Sequence, residues 1–221
     1  MPPSTDSPIS NRYASLDINL THPIRTTQLA LAYFLSTKSK NHTKPFPKAI
    51  IHISSVAGQL TPVAAPIYNV TKHGISAFVR SLAPLDKQLG VRVTAVAPGV
   101  IKTPLWTDNP DKLRLITKED QWVTPEFVAE VMASLVEQPV VEVDAGGMES
   151  AQPTRTGDAR ERTRKVPVEG GMILEVAKSK VRVVEQFNDP GPSGEGNTVG
   201  NRSIADDEIF EALGSGKWGV V

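Results

Sequence analysis

Residues 49–99 read AIIHISSVAGQLTPVAAPIYNVTKHGISAFVRSLAPLDKQLGVRVTAVAPG. Ala49-Ile50-Ile51-His52-Ile53 is a short β-branched run with apolar residues at successive positions, the pattern of a parallel strand buried on both faces. It gives way to Ser54-Ser55. Pro66 suits the first turn of a helix, and apolar or small residues then recur at Ile67, Val70, Gly74, Ala77, Phe78, Ser81, Leu82, Leu85 and Leu89. That helix is expected to bend at Pro84 and stop at Gly90. Val91-Arg92-Val93-Thr94-Ala95-Val96 is a second strand, closed by the turn signal Pro98-Gly99. Strand, helix and strand in this order form a right-handed crossover of a parallel sheet, so the fold class is α/β.

The flanks extend this unit. Upstream, Leu16, Leu20, Ile24, Leu31 and Leu35 recur at helical steps and predict one helix over Ser15–Leu35, disturbed at Pro23. Met1–Ile9 carries three prolines and reads as a loose end. Asn41–Pro47 reads as a turn. Downstream, Thr124-Pro125-Glu126 starts a helix whose buried stripe is Phe127, Val128, Val131, Leu135 and Val136 and which ends near Gln138. Apolar residues become scarce from Asp144 to Gly170, and Arg155–Lys165 holds five basic and two acidic side chains. No aromatic interleaves them, so a flexible insertion is expected there rather than an anion-contacting arm. Met172–Val176 and Lys180–Val184 read as two strands around Lys178-Ser179. Asn188–Val221 is a Gly-rich tail with a weak helix near Ile204–Leu213.

Composition narrows the function. The 24 basic and 24 acidic side chains cancel, which removes the electrostatic case for a nucleic-acid or anionic-membrane partner. Without cysteine there is no disulfide framework, thiolate metal site or cysteine nucleophile, and a reducing, cytoplasmic location is expected. No secretory leader and no window of about 18 apolar residues is present, so the chain is expected to be neither secreted nor membrane-spanning. His22, His42, His52 and His73 lack ligand spacing, and no metal is expected.

Ser55, Tyr68 and Lys72 are the residues that carry chemistry. Tyr68 and Lys72 stand at i and i+4 of one helix and project from the same face. A phenol, with an ordinary pKa of about 10, is too weak an acid for catalysis near neutrality, and an ammonium held close favours its anion. Ser55 sits at the carboxyl end of the preceding strand, where ligands of parallel sheets bind, and there its hydroxyl can hold a substrate oxygen.

Together, IIHISSVAG at residues 50–58, the step from Ser55 to Tyr68, YNVTK at 68–72 and VRVTAVAPGVIKT at 91–103 resemble the short-chain dehydrogenase/reductase family. In that family the matching Ser, Tyr and Lys form the catalytic group, which maps onto Ser55, Tyr68 and Lys72. SLDINL resembles the family's Asp-x-Asn-Leu segment, so Asn19 would complete a tetrad by holding a proton-relay water. Pro98-Gly99-Val100-Ile101-Lys102-Thr103 resembles the loop whose Ile backbone and Thr hydroxyl hold the nicotinamide end of the cofactor; Tyr68, Lys72, Pro98, Gly99, Ile101 and Thr103 would thus face it. Trp106 would either line the substrate pocket or cover the core edge. The runs at 82–84, 102–107 and 170–176 are similar to fungal 15-hydroxyprostaglandin dehydrogenase-like members, a branch associated with secondary metabolism.

The resemblance implies NAD or NADP as cofactor and hydride transfer between nicotinamide and a small-molecule carbonyl or secondary alcohol, with Tyr68 exchanging the proton. It also implies a homo-oligomer for full-length members. The family's opening strand, its Thr-Gly-x-x-x-Gly-x-Gly turn and its Asn-Ala-Gly strand end have no counterpart in these 221 residues. The expected fold is therefore a partial Rossmann-like, doubly wound parallel sheet of three layers that lacks its first strands. In this division 1–14 is a loose N-terminus, 15–143 the second half of the Rossmann domain, 144–170 the insertion, 171–187 the last hairpin and 188–221 the tail. Strand 49–53 should then have a bare edge, a template for pairing with another chain, and self-association is expected. A truncated, non-catalytic remnant or interaction subunit is the alternative to an active oxidoreductase.

Overall fold

The computed structural model describes residues 13–36, 48–113, 116–118, 120–144, 163–186 and 202–215. Helix α1 runs as Ala14–Leu16, a π-helical turn Asp17–Thr21, and His22–Leu35. Strand β1 (Lys48–Ile53) leads through a short 3-10 turn, Val56–Gly58, to α2 (Pro66–Ser81) and α3 (Pro84–Leu89). After β2 (Val91–Pro98) come the short helices α4 (Pro104–Thr107) and α5 (Pro110–Leu113), then α6 (Pro125–Glu137). Strands β3 (Val140–Asp144), β4 (Thr163–Pro167), β5 (Ile173–Val176) and β6 (Val181–Val183) and helix α7 (Arg202–Gly214) complete the described chain.

The main sheet has four strands in the order β1-β2-β5-β6. β1, β2 and β5 are parallel, and β6 returns antiparallel to β5. β2 sits centrally and is buried along nearly its whole length, because its side chains feed two cores. Val91, Val93, Ala95 and Ala97 face a cluster with Leu31 of α1, Ile75 and Val79 of α2, Leu85 of α3 and Leu213 of α7. Val96 faces the other cluster, with Val128, Val131 and Leu135 of α6 and Val141 and Val143 of β3. Helices thus cover both faces, in the expected three-layer α/β arrangement.

Local chemistry explains the elements. Proline lacks an N–H, and at Pro23 the helix avoids the deficit by widening one turn, so that His22 N–H bonds the Asp17 carbonyl. The expected disturbance is therefore a π turn before Pro23. At Pro84 the helix predicted to bend breaks into α2 and α3. Thr124 caps α6 by accepting from Phe127 N–H at 3.2 Å.

Two expectations are corrected. The insertion expected over 144–170 contains β4, which pairs antiparallel with β3, Val141 opposite Val166 and Val143 opposite Arg164. The backbone ladder tolerates charged outward side chains, so Thr163-Arg164-Lys165 forms a strand without an apolar signature; 145–162 lies outside the described residues. The tail is corrected only in part: the helix expected near Ile204–Leu213 is α7, and it is docked rather than loose, with Leu213 3% exposed within the first core cluster. The Arg155–Arg162 part of the charged run, the turn expected at Asn41–Pro47, and 1–12, 187–201 and 216–221 lie outside the described residues.

Candidate active site

The carboxyl ends of β1 and β2 lie side by side, Ile53 opposite Val96. Ser55 follows β1 in extended conformation (φ −170°) and caps the 3-10 turn. Its Oγ accepts from Ala57 N–H at 3.2 Å, which leaves the hydroxyl proton free to donate. Lys72 is 7% exposed and its Nζ donates to the Ile53 carbonyl at 2.9 Å, joining α2 to the strand end. Burial pushes the Lys72 ammonium below its ordinary pKa of 10.5. One turn earlier, Tyr68 is 38% exposed, its ring centroid 5.5 Å from Lys72 Nζ. An open phenol beside a buried cation thus stands next to the loop that carries a serine donor.

Buried polar contacts fix this arrangement. Ser54 Oγ donates to the Lys72 carbonyl at 3.2 Å and pairs with Ser76 Oγ at 2.8 Å. A Cβ on Gly58 would meet the Lys72 carbonyl oxygen at 2.9 Å and Ser54 Oγ at 3.0 Å, so only glycine lets the Ser55 turn lie this close to α2. Asn69 Nδ2 donates to the Pro62 carbonyl at 2.9 Å and ties the preceding loop to the helix that carries Tyr68. Gly74 performs a similar service toward α1: a Cβ there would come within 3.1 Å of Leu20 Cδ1. That close approach brings the π turn to α2, and Asn19 lines one groove together with Lys72. Asn19 Nδ2 itself donates to the Ser15 carbonyl at 3.1 Å.

The loop after β2 supplies a second wall. Pro98 is opposite Val176, and Gly99 N–H bonds the Val176 carbonyl at 3.0 Å. Ile101 forms a parallel bridge with Val123, made by Lys102 N–H to the Val123 carbonyl and Val123 N–H to the Val100 carbonyl, each at 2.9 Å. In that pattern the backbone N–H and C=O of Ile101 itself turn away from Val123. Thr103 starts α4 with its carbonyl, while its hydroxyl makes no cap bond. Trp106 meets Trp122 edge to face at 6.2 Å, so it packs within the loop. Sequence reasoning did not single out Ser54, Ser76, Asn69 or Val123. Ser54 and Gly58 lay inside the quoted motif at 50–58 and Asn69 inside that at 68–72, whereas Ser76 and Val123 carry no signal beyond ordinary polar or apolar character.

A profile described as short chain dehydrogenase matches residues 3–114, half of the chain. The chain belongs to the short-chain dehydrogenase family. Among curated relatives of this family, carbonyl reductase family member 4 of Xenopus laevis is 31% identical over 127 residues, covering 57% of this chain and 50% of the relative. The NAD(+)-named 15-hydroxyprostaglandin dehydrogenase of Rattus norvegicus is 29% identical over 137 residues, covering 56% and 50%. The chain spans about half the length of these curated relatives. In fold it is similar to the 3-hydroxyacyl-CoA dehydrogenase type-2 structure from Mycobacterium avium, with a TM-score of 0.51 at 16% identity, covering 76% of this chain and 55% of that one. Among the described residues no group of three or more His, Cys, Asp or Glu side chains could hold a metal, and no helix is long and apolar enough to cross a membrane.

Proposed function

We propose that the chain carries the catalytic wall of an NAD(P)-dependent short-chain oxidoreductase acting on a small-molecule carbonyl or secondary alcohol. What supports this above all is Lys72, whose Nζ bonds the Ile53 carbonyl two residues before Ser55 and lies 5.5 Å from the Tyr68 ring. The free Ser55 proton orients the substrate oxygen. The Tyr68 hydroxyl gives or takes the proton on that oxygen, and the Lys72 charge favours the anion that Tyr68 forms. Asn19, in the groove that Lys72 lines, would hold the water that returns the proton.

The residues present fit the nicotinamide end of a dinucleotide. The outward Ile101 N–H and the uncapped Thr103 hydroxyl suit a carboxamide, and Pro98-Gly99 keeps the approach small. When bound, the nicotinamide supplies or accepts the hydride. The Rattus norvegicus relative named for NAD(+) supports this cofactor class. These 221 residues contain no Gly-rich phosphate turn, and the part of a cofactor site they present is the nicotinamide end. That favours, as a second reading, a non-catalytic or interacting role for the chain by itself.

Reduction of a panel of ketones and aldehydes with NADH and NADPH tests the first reading. Tyr68→Phe should remove most turnover and leave cofactor affinity nearly unchanged, since the hydroxyl moves the proton and the ring does not. A phenylalanine variant that keeps most of its rate would sink the assignment of Tyr68. Absence of turnover in wild-type protein that binds cofactor would favour the second reading.

A further inference from the structure

We infer that Arg182 of β6, acting through Gln59, is a positioning residue for the Ser55 hydroxyl in the reaction proposed above, on whose reading of Ser55 the inference rests. Arg182 and Gln59 lie 123 residues apart, yet Arg182 Nη2 donates to Gln59 Oε1 at 2.9 Å. The same nitrogen donates to Glu175 Oε2, directly across the β5–β6 pair. A charge-assisted bond of this kind fixes the guanidinium before it reaches the amide. Strand alternation puts the ion pair on the side of the sheet that faces α2. Leu174, Val176, Val181 and Val183 belong to the opposite core, and Glu175 is in register with Ala97, which faces the α2 cluster. Glu175 and Arg182 are the only charged side chains of these two strands.

Gln59 closes the turn that carries Ser55. Gly58 N–H donates to the Ser55 carbonyl at 2.8 Å and Gln59 N–H to the Val56 carbonyl at 3.0 Å, so residues 55–59 move as one unit. Toward α2 this unit packs through Gly58 against the Lys72 carbonyl. Beyond Gln59 the chain has little hold, with Leu60 57% and Val63 91% exposed, and the next tie is the Pro62 carbonyl held by Asn69. Arg182 therefore supplies the support at the far end of the turn. A shift of that end turns the Ser55 hydroxyl, whose oxygen is tied to Ala57 N–H inside the same unit.

The Gln59 amide records the demand that Arg182 makes on it. Among the described residues its Nε2 is the one buried side-chain nitrogen or oxygen without a partner. An unpaired buried donor is costly, yet turning the amide over would set its NH2 against the guanidinium. The orientation is thus imposed by Arg182. Burial also keeps Nε2 from a substrate held at Ser55 and Tyr68, so Gln59 acts on the reaction through the turn and does not touch the reacting atoms.

Arg182→Met keeps the aliphatic stem and removes the donors, whereas Gln59→Met removes the acceptor and leaves the β5–β6 ion pair intact. With ketones and aldehydes, each should lower kcat about tenfold and keep KM for the cofactor within about twofold, because the Ile101–Thr103 wall belongs to another loop. Arg182→Lys, which still donates, should recover part of the rate, and the double methionine variant should lose no more than either single one. Amide hydrogen exchange at Ala57, whose N–H bonds Ser55 Oγ, and at Gly58 needs no turnover and separates this inference from the proposed activity. Both amides should exchange about tenfold faster in each methionine variant, while Val79, buried in α2, stays as in wild type. Wild-type protein without turnover counts against the proposed activity, and exchange then decides the inference alone. Unchanged exchange at Ala57 and Gly58 would overturn it. So would faster exchange at Val79 in the Gln59→Met protein, losses of kcat that add in the double variant, or a rise in cofactor KM that matches the fall in kcat.

Discussion

Gly58→Ala probes the contact on which the candidate site depends. The new Cβ would lie 2.9 Å from the Lys72 carbonyl oxygen and 3.0 Å from Ser54 Oγ, where ordinary contact begins near 3.4 Å. The first neighbour is helix backbone, so relief requires the Ser55 turn and α2 to separate by roughly half an ångström, an overpacking strain of about 1–3 kcal/mol. Gly58 has no positive φ, so alanine also restricts the unfolded chain and returns about 0.4–1 kcal/mol. The balance is a loss of about 1–2 kcal/mol, or about 3–6 °C in melting temperature for a chain of this size. Thermal and urea unfolding with unchanged m-value would measure it. Adding Ser54→Ala removes the Oγ contact but not the carbonyl, so it should relieve only part of the strain. A Gly58→Ala protein as stable as wild type, or more so, would refute the claim that this approach is tight.

His52 is buried, its Nε2 lies 3.0 Å from Thr27 Oγ1, and that hydroxyl donates to the Pro23 carbonyl, so Nε2 carries a proton and donates to Thr27. Burial lowers its pKa below the ordinary 6.5, so below that pH the unfolded chain binds the proton first and stability should fall with falling pH until the lowered value is reached. Urea midpoints at pH 7.5 and 5.5 should converge in His52→Gln; an unchanged difference would assign the effect elsewhere. Leu135→Ala, at a fully buried position of α6, should cost about 2–5 kcal/mol, and a loss under about 1 kcal/mol would mean that this face is loosely packed. Titration calorimetry should give the chain a dissociation constant for NADH and NADPH no tighter than about 100 µM, since no phosphate turn is encoded, whereas a low-micromolar value would demand another phosphate site.

The elements legible in the sequence were those whose side chains decide their burial. β2 could be read because Val91, Val93 and Val96 are apolar on both faces, and α6 because Thr124-Pro125 and its stripe agree. β3 and β4 could not, since their ladder rests on backbone groups that every residue has, and of their apolar residues Val141, Val143 and Val166 turn inward or part-way inward. At the site, the i and i+4 spacing of Tyr68 and Lys72 was legible as helix geometry. The Ser54–Ser76 pair was not, because two serines separated by a loop announce no contact until the fold brings them to 2.8 Å. The bridge from Ile101 to Val123 was hidden for the same reason.

The register of β2 against β5 also bears on the order in which the chain folds. β1, α2 and β2 are contiguous, so their contacts close short loops, whereas Ala95 meets Ile173 roughly eighty residues further on, a closure whose length-dependent entropy is about 4 kcal/mol. β1–α2–β2 should therefore form the nucleus, and β5, β6 and the β3–β4 ribbon should dock after the rate-limiting barrier. Substitutions at Ile75 or Val93 are then expected to slow folding, and those at Leu174 or Val176 to speed unfolding. Because closure entropy grows only logarithmically, doubling the length of that connection would change its closure cost by only about 0.6 kcal/mol.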